Sequence, residues 1–151
     1  MATAFTLANL TSSGITHKNI DPTKKPGRGH LHLRSVRLDF DAIATATGSA
    51  LAANDTFQLF DLAVGDIVMI VGINVLTATT GAATVDVGFT GSTVDHFIDG
   101  YTVNATTMAP TVTTCLDSPV YITTADTLDL ITLGQSGAGG VIEVWALIGR
   151  L

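Results

Sequence analysis

An all-β sandwich is the fold class that this sequence predicts, and its composition and spacing carry the prediction. The 151 residues include 24 threonines, 13 valines and 11 isoleucines, and such β-branched side chains favour a pleated sheet over a helix. Short apolar runs, several of them alternating with polar residues, are separated by turns that use many of the 15 glycines. Between Leu38 and Gly149 the only glutamate is Glu143, so charged helix-forming residues are scarce. A chain of this length fits one domain.

The chain is predicted to have two parts. Residues 1–30 should form an extended basic N-terminal arm, and residues 31–151 a single β-sandwich or jelly-roll-like domain. Prolines, glycines and cations crowd residues 21–29, and such a segment has too little apolar surface to offset the entropy lost on ordering. We therefore expect the arm to become ordered on a partner. Within it, the mildly apolar piece 5–10 is a candidate for a short docked strand or turn.

The strand pattern begins at Leu31, where Leu31 and Leu33 alternate with polar residues. The alternation continues from Val36 in the opposite phase. A slip of one residue reverses the two faces of a strand, so a β-bulge is predicted near residues 34–35. The alanine-rich residues 41–54 that follow fit either a short helix or a loop.

Seven further strands are predicted, each bounded by turn residues. They cover residues 55–62, 67–77, 84–89, 101–103, 119–124, 127–133 and 141–148. A long connection is predicted over residues 91–100. Two of the strands, 67–77 and 141–148, are apolar on both faces, which is typical of central strands and also of strands that lie under a neighbouring subunit. Roughly eight strands with turns between them predict a β-sandwich or jelly roll.

Charge is distributed unevenly along the chain. Residues 1–37 hold six of the seven cations and one acid, a formal charge of +5, whereas residues 38–149 hold twelve acids and no lysine or arginine. Such an asymmetry predicts a basic arm and an acidic body that meet different partners. The cations predicted to make the contacts of the arm are Lys18, Lys24, Lys25, Arg28, Arg34 and Arg37.

An acidic protein surface is the predicted partner of these cations. Nucleic acid also attracts lysine and arginine, but the acidic body repels a polyanion and no aromatic residues are interleaved with the cations for base stacking. No nucleic-acid partner is therefore expected. A basic tail that meets only solvent is the third interpretation of the same segment.

No constellation of catalytic or metal-binding residues stands out, so we expect neither an enzyme nor a cofactor. His30 and His32 would share one face of a strand, as a metal-binding pair does, but in a basic segment they fit contacts with a partner or solvent better. Asp95 and Asp99 flank His96 without the local serine or cysteine that nucleophilic catalysis needs. These two carboxylates could also bind calcium, although the glycine after the second one favours a turn.

No membrane partner is expected either. Residues 67–85 are uncharged, but Asn74, threonines and glycines divide them into two strand-like pieces instead of one spanning helix. Cys115 has no second cysteine with which to form a bridge, so nothing here requires an oxidising compartment. Cys115 and Trp145 both fit a core or a subunit interface.

Six segments follow one another in a distinctive order. They are Arg37-Leu38-Asp39-Phe40, Asn54-Asp55-Thr56-Phe57-Gln58-Leu59-Phe60, Gly81-Ala82-Ala83-Thr84-Val85-Asp86-Val87-Gly88, Phe97-Ile98-Asp99-Gly100, Ala125-Asp126-Thr127-Leu128-Asp129-Leu130 and Val144-Trp145-Ala146-Leu147. Together they resemble a group of small virion proteins of tailed bacteriophages, often encoded near the major capsid protein. The resemblance covers about residues 31–151.

The resemblance implies a capsid decoration (cement) protein, typically a β-sandwich trimer seated on the shell. The partners it implies are the major capsid protein and further copies of the same chain, and the implied location is the exterior of the capsid. A tail, fibre or head-fibre component with a host-glycan site is the alternative. A carbohydrate-acting enzyme of jelly-roll type would need a carboxylate pair in a cleft, for which Asp95 with Asp99, or Asp126 with Asp129, are the candidates.

Overall fold

Two β-sheets face each other across one core, as the all-β sandwich prediction requires. The structure, a computed structural model, describes residues 4–5, 15–19, 31–81, 83–91, 93–104, 108–109, 119–134 and 139–150. The strands are β1 (Ala4–Phe5), β2 (Ile15–Asn19), β3 (Leu31–Asp39), β4 (Thr56–Leu62), β5 (Asp66–Thr77), β6 (Thr84–Phe89), β7 (Ile98–Thr102), β8 (Met108–Ala109), β9 (Val120–Tyr121), β10 (Asp126–Thr132) and β11 (Val141–Arg150), and helix α1 covers Phe40–Thr47.

Most successive strands lie in opposite sheets. The first sheet has the order β1-β4-β10-β6-β7, and the second has the order β2-β3-β11-β5-β8, with β9 also paired to β5. From β3 onwards, each long strand is followed by one in the opposite sheet, except at the β6–β7 pair within the first sheet. This order is that of a jelly roll, so the fold class predicted from the sequence is confirmed.

The core lies between the sheets and explains the alternating pattern of the strands. Phe57, Leu130 and Val87 form one row across the first sheet, and all three are fully buried. Val144 and Ile73, which pair within the second sheet, are likewise fully buried. Removing such side chains from water, at roughly 25 cal/mol per Å² of apolar surface, is the main stabilisation of the sandwich.

The bulge predicted near residues 34–35 is wrong. β3 pairs with β11 in one continuous register over its whole length. Arg34 therefore shares the inner face with buried Val36, whereas Leu31 and Leu33 project from the outer face, where they are 61% and 44% exposed. The bulge is predicted if all apolar side chains of the strand share one face. In the structure they do not, because Arg34 takes an inner position and the two leucines take outer ones.

The alanine-rich residues 41–54 divide into helix α1 and a loop. Asp39 begins the helix, because its carboxylate accepts a hydrogen bond from the amide of Ala42 at 3.1 Å, which is the usual role of aspartate at an N-cap. Gly48 ends it with a φ of 67°, in the left-handed region that glycine adopts without strain. Fully buried Ile43 attaches the helix to the core.

Two strands, β7 and β9, differ most from the predicted ones. β7 starts at Ile98, inside the predicted connection 91–100, and the amide of Phe97 already donates to the carbonyl of Val87 at 2.9 Å. The strand predicted over residues 119–124 is reduced to the two residues of β9.

Two pieces of the predicted arm pair with the sandwich. β1 runs parallel to β4 at the edge of the first sheet, and it overlaps the proposed docking piece 5–10 at Phe5. β2 runs antiparallel to β3 at the edge of the second sheet. The other residues up to 30 lie outside the described residues, so the domain boundary at residue 30 stays a prediction.

Candidate partner-binding surfaces

The cations predicted to bind a partner belong to the β2–β3 region of the second sheet. Lys18 lies on β2, paired opposite Ser35 of β3. Lys24, Lys25 and Arg28 occur between β2 and β3 and lie outside the described residues. The strands on either side of these three cations, β2 ending at Asn19 and β3 beginning at Leu31, are antiparallel neighbours in the sheet. The predicted partner contacts of these cations stay a prediction.

Arg34 makes its contacts within its own chain. Its Nη1 donates to the carbonyl oxygen of Asp61 at 2.9 Å, and its guanidinium carbon lies 4.7 Å from the centroid of the Phe60 ring. Burial lowers the pKa of Arg34 from its ordinary value, while the carboxylates of Asp61 and Asp66 act in the opposite direction. These contacts attach β3 to β4, and thus one sheet to the other, through a hydrogen bond and a cation–π contact. The predicted partner contact of Arg34 stays a prediction.

Arg37 is exposed on the outer face of β3 and lies opposite Glu143 of β11. Glu143 accepts a hydrogen bond from Nδ2 of Asn74 at 3.3 Å. The side-chain oxygen of Asn74 is buried and has no hydrogen-bond partner within the described part of the chain. These three residues form a polar row across the second sheet that carries one charge of each sign.

On one side of this polar row, the outer face of the second sheet between β3 and β9 is apolar apart from Ser35, which pairs with Lys18 of β2. The strand pairing sets three rows side by side between β3 and β9. The apolar side chains of these rows, called the apolar patch below, are Leu31, Leu33, Ile67, Ile70, Tyr121, Trp145 and Leu147. None of the seven is buried, and Tyr121 is 52% exposed. No charged side chain belongs to the patch.

Trp145 lies against the backbone of β5 within the apolar patch. A Cβ added at Gly72 would fall 2.1 Å from Cζ2 of the indole, so only glycine leaves room for the ring there. Because Trp145 fills this position on the outer face, it does not contribute to the core between the sheets. It belongs to the surface that the second sheet presents outwards.

The outer face of the first sheet is polar, and two of its carboxylates, those of Asp129 and Asp86, are buried and bonded within the chain. Asp129 is 1% exposed; its Oδ1 accepts from the hydroxyl of Thr127 at 2.6 Å and its Oδ2 from that of Thr90 at 2.8 Å. Burial raises the pKa of Asp129, the two hydroxyls lower it in part, and Asp126 raises it further. Both oxygens of Asp129 are thus occupied, and the groove beside Asp126 is open and shallow.

Asp86, on the neighbouring strand β6, is also buried and bonded within the chain. Its Oδ1 accepts from the amide of Gly100 at 2.7 Å, and it is 4% exposed. Burial raises its pKa, the Gly100 amide lowers it in part, and Asp99 and Asp95 raise it further. Asp99 and Asp95 thus raise the pKa of Asp86 through their negative charge.

His96 belongs to an aromatic cluster. Its ring centroid lies 5.0 Å from that of Phe89 and 4.9 Å from that of Phe97. Its Nε2 is buried, with no hydrogen-bond partner among the described residues. In the described ranges no group of three or more His, Cys, Asp or Glu residues is arranged to hold a metal ion; His30 lies outside these ranges. No helix of the described chain is long and apolar enough to cross a membrane.

Sequence reasoning did not find the apolar patch as a surface. The strands that are apolar on both faces indicated that part of the second sheet could be covered by a neighbour, and Trp145 was a candidate for an interface. The predicted bulge, however, would place Leu31 and Leu33 on the same face as Val36, which is buried. Reading β3 without a bulge would have placed both leucines on the same outer face as Arg37.

Two solved structures share this fold. A chain of the cyanophage Pam1 capsid asymmetric unit superposes with a TM-score of 0.59 and 18% sequence identity, covering 87% of this chain and 95% of that one. A chain of the acidic stable capsid of Helicobacter pylori bacteriophage KHP30 gives a TM-score of 0.55 and 14% identity, covering 90% and 94%. Each match spans nearly all of both chains, so the two neighbouring chains are of about the same length as this one. The sequence itself matches no family model and no curated protein sequence.

Proposed function

We propose that this chain is a structural protein of a phage virion: a non-enzymatic decoration protein that binds the exterior of the major capsid protein lattice as a homotrimer and stabilises the head. The observation that carries the proposal is the whole-length match to two chains of phage capsids. The resemblance of residues 31–151 to decoration proteins supports a position on top of the lattice rather than within it.

The charge division supports attachment by one end of the molecule. The cations of residues 1–37 would meet the capsid, and the acidic body would face solvent, where net charge resists aggregation. Ordering a basic segment on the capsid costs a few kcal/mol. Three such segments in one trimer would offset this cost, because the first contact raises the effective concentration of the others.

Copy number on the capsid tests the proposal. Purified protein is mixed with undecorated phage capsids, the capsids are pelleted, and both proteins are quantified. Saturation at many copies, in multiples of three per lattice site, is the expected result, because a lattice subunit would not add to a complete shell. Saturation at a handful of copies would assign the protein to a tail, fibre or vertex, and no binding would overturn the proposal.

Charge reversal tests which residues make the contact. Deleting residues 1–37 would also remove most of β3, so substitution is the cleaner experiment. The triple variant K24E/K25E/R28E should bind capsids more weakly than wild type, and K24Q/K25Q/R28Q should fall between the two. Binding by wild type should weaken as salt is added, because salt screens exposed charges. Equal binding by all three proteins would remove these cations from the proposed contact.

A further inference from the structure

We infer that the apolar patch on the outer face of the second sheet is the contact between copies of this chain. The inference deepens the self-association part of the proposed function and rests on it, but it does not require that the capsid be the partner. It assigns the subunit contact to residues other than the cations between β2 and β3.

The size of the patch suits the centre of such an interface. Its three rows run from Leu31 on β3 to Tyr121 on β9 and end at Trp145. With strands about 4.8 Å apart and a rise of about 3.4 Å per residue, the patch spans about 14 Å in each direction between backbone positions. A standard interface buries about 800 Å² on each partner, with an apolar centre and a polar rim.

Charge argues for a second copy as the occupant. Residues 38–149 carry twelve acids, of which Asp55, Asp66, Asp86 and Asp129 are buried, and the remaining carboxylates repel those of a second copy wherever they approach each other. The patch carries no carboxylate, and two copies that meet there bring apolar side chains together instead. The adjoining row holds Arg37 beside Glu143, and a rim with both signs can be complementary to its own copy.

The neighbouring basic segment is a poor cover for the patch. Residues 21–30 (DPTKKPGRGH) join the chain at Leu31, next to the patch, but their largest apolar side chains are two prolines. Such a segment supplies little apolar surface to bury. A second copy offers the patch itself, or another apolar surface, to cover it.

A matched pair of leucine substitutions tests the inference. Leu33 lies in the patch and Leu76 at the far end of β5, and each is 44% exposed, so Leu33→Glu and Leu76→Glu introduce the same change at equal exposure. Sedimentation velocity without capsids is measured from about 1 to 100 µM, the range in which moderate interfaces associate. We expect wild type and L76E to form the same oligomer, and L33E to associate at least about tenfold more weakly.

Several results would overturn the inference. The first is a wild type that is monomeric at about 100 µM, where an interface with a μM Kd would be populated. The second is an L33E protein that assembles like wild type. The third is dissociation of L33E and L76E to the same extent. Circular dichroism checks that the variants fold, and Leu31→Glu, at a position 61% exposed, replaces L33E if that variant does not. Wild-type capsid pelleting is scored separately. An oligomer that does not bind capsids overturns decoration and leaves this inference standing. A monomer that binds capsids overturns this inference and the homotrimer and leaves decoration standing.

Discussion

The outer faces of the two sheets are built in opposite ways. On the first sheet, Asp129 and Asp86 are bonded by hydroxyls and an amide of their own chain, and the Thr93–Val94 backbone covers Gly88. On the second sheet, the apolar patch lies open beside a single polar row. Folding of a sandwich requires only that the inner faces be buried. The outer faces therefore differ because of what surrounds each one: the first is completed by its own chain and the second suits a partner.

The largest effect is expected where the chain covers its own first sheet. In Gly88→Ala the new Cβ would lie 2.1 Å from the carbonyl oxygen of Thr93 and 2.5 Å from the carbonyl carbon of Val94. Backbone atoms cannot rotate away, so the loop must lift. We expect a loss of about 3 kcal/mol in the free energy of unfolding, at the upper end for an overpacked site, measured by urea denaturation.

Gly72→Ala is the matched variant on the second sheet. Its Cβ would meet the indole of Trp145 at 2.1 Å, but a side chain on an open face can swing outwards. We expect a loss of about 1 kcal/mol and a red shift of tryptophan fluorescence. If G72A costs as much as G88A, the two faces are equally closed and the comparison fails.

The next effect concerns the hydroxyls around Asp129. Thr127→Val removes a donor 2.6 Å from the carboxylate, and a hydrogen bond to a charged group contributes about 1.5–3 kcal/mol. We expect a loss of about 2 kcal/mol at pH 7 and a smaller loss near pH 4, where the carboxyl is protonated more often. Thr123→Val, at an exposed position, should change little at either pH, and an equal loss in both variants would contradict this account.

The same carboxylates give the protein a pH dependence with a definite sign. Folding raises the pKa of Asp86 and Asp129 above their ordinary value of 3.8, so the folded state binds more protons than the unfolded chain just above that pH. Their contribution to stability is therefore fully present below 3.8 and is lost as pH rises through the raised values. The double variant D86N/D129N should show a flatter profile of unfolding free energy against pH. An unchanged profile would exclude these two groups as its source.

A smaller effect separates two arginines of one strand. Arg34→Met removes the hydrogen bond to Asp61 and the contact with Phe60, and we expect a loss of about 1 kcal/mol. Arg37→Met, at an exposed position, should leave the free energy of unfolding within about 0.5 kcal/mol of wild type. Capsid pelleting of the same two variants then shows which arginine contributes to capsid binding, the exposed Arg37 or Arg34, which is bonded within its own chain. Equal destabilisation would show that the contacts of Arg34 contribute nothing.

The smallest effect on the isolated chain is expected in the apolar patch. Leu33→Ser at a position 44% exposed should change the free energy of unfolding of dilute protein by less than about 0.5 kcal/mol. The Tm of wild type should rise with protein concentration, because association stabilises the folded state, and this rise should be reduced in L33S. A large loss of stability in dilute L33S would mean that the patch is needed for folding itself.

The fold class could be predicted from the sequence, but the outer surfaces of the two sheets could be predicted only in part. Alternation of β-branched and apolar residues on β4, β6 and β10 is a local signal, and it predicted these strands closely. On β3 the same rule failed, since Arg34 reaches an inner position only because Asp61 and Phe60 stand opposite it, far away in the chain. The bonding of Asp129 by Thr90 depends in the same way on the pairing of β6 with β10, which periodicity does not specify.

The position of β11 also has a consequence for how the second sheet forms during synthesis of the chain. β11 (Val141–Arg150) lies between β3 and β5 in the second sheet, yet the ribosome makes it long after both. Until β11 is made, β3 and β5 lack the strand that lies between them, and their edges stay open to incorrect pairing. Pairing of strands so distant in sequence is also slow. The sheet can be completed only after residues 141–150 have been made, so the facing edges of β3 and β5 stay open to incorrect pairing until then.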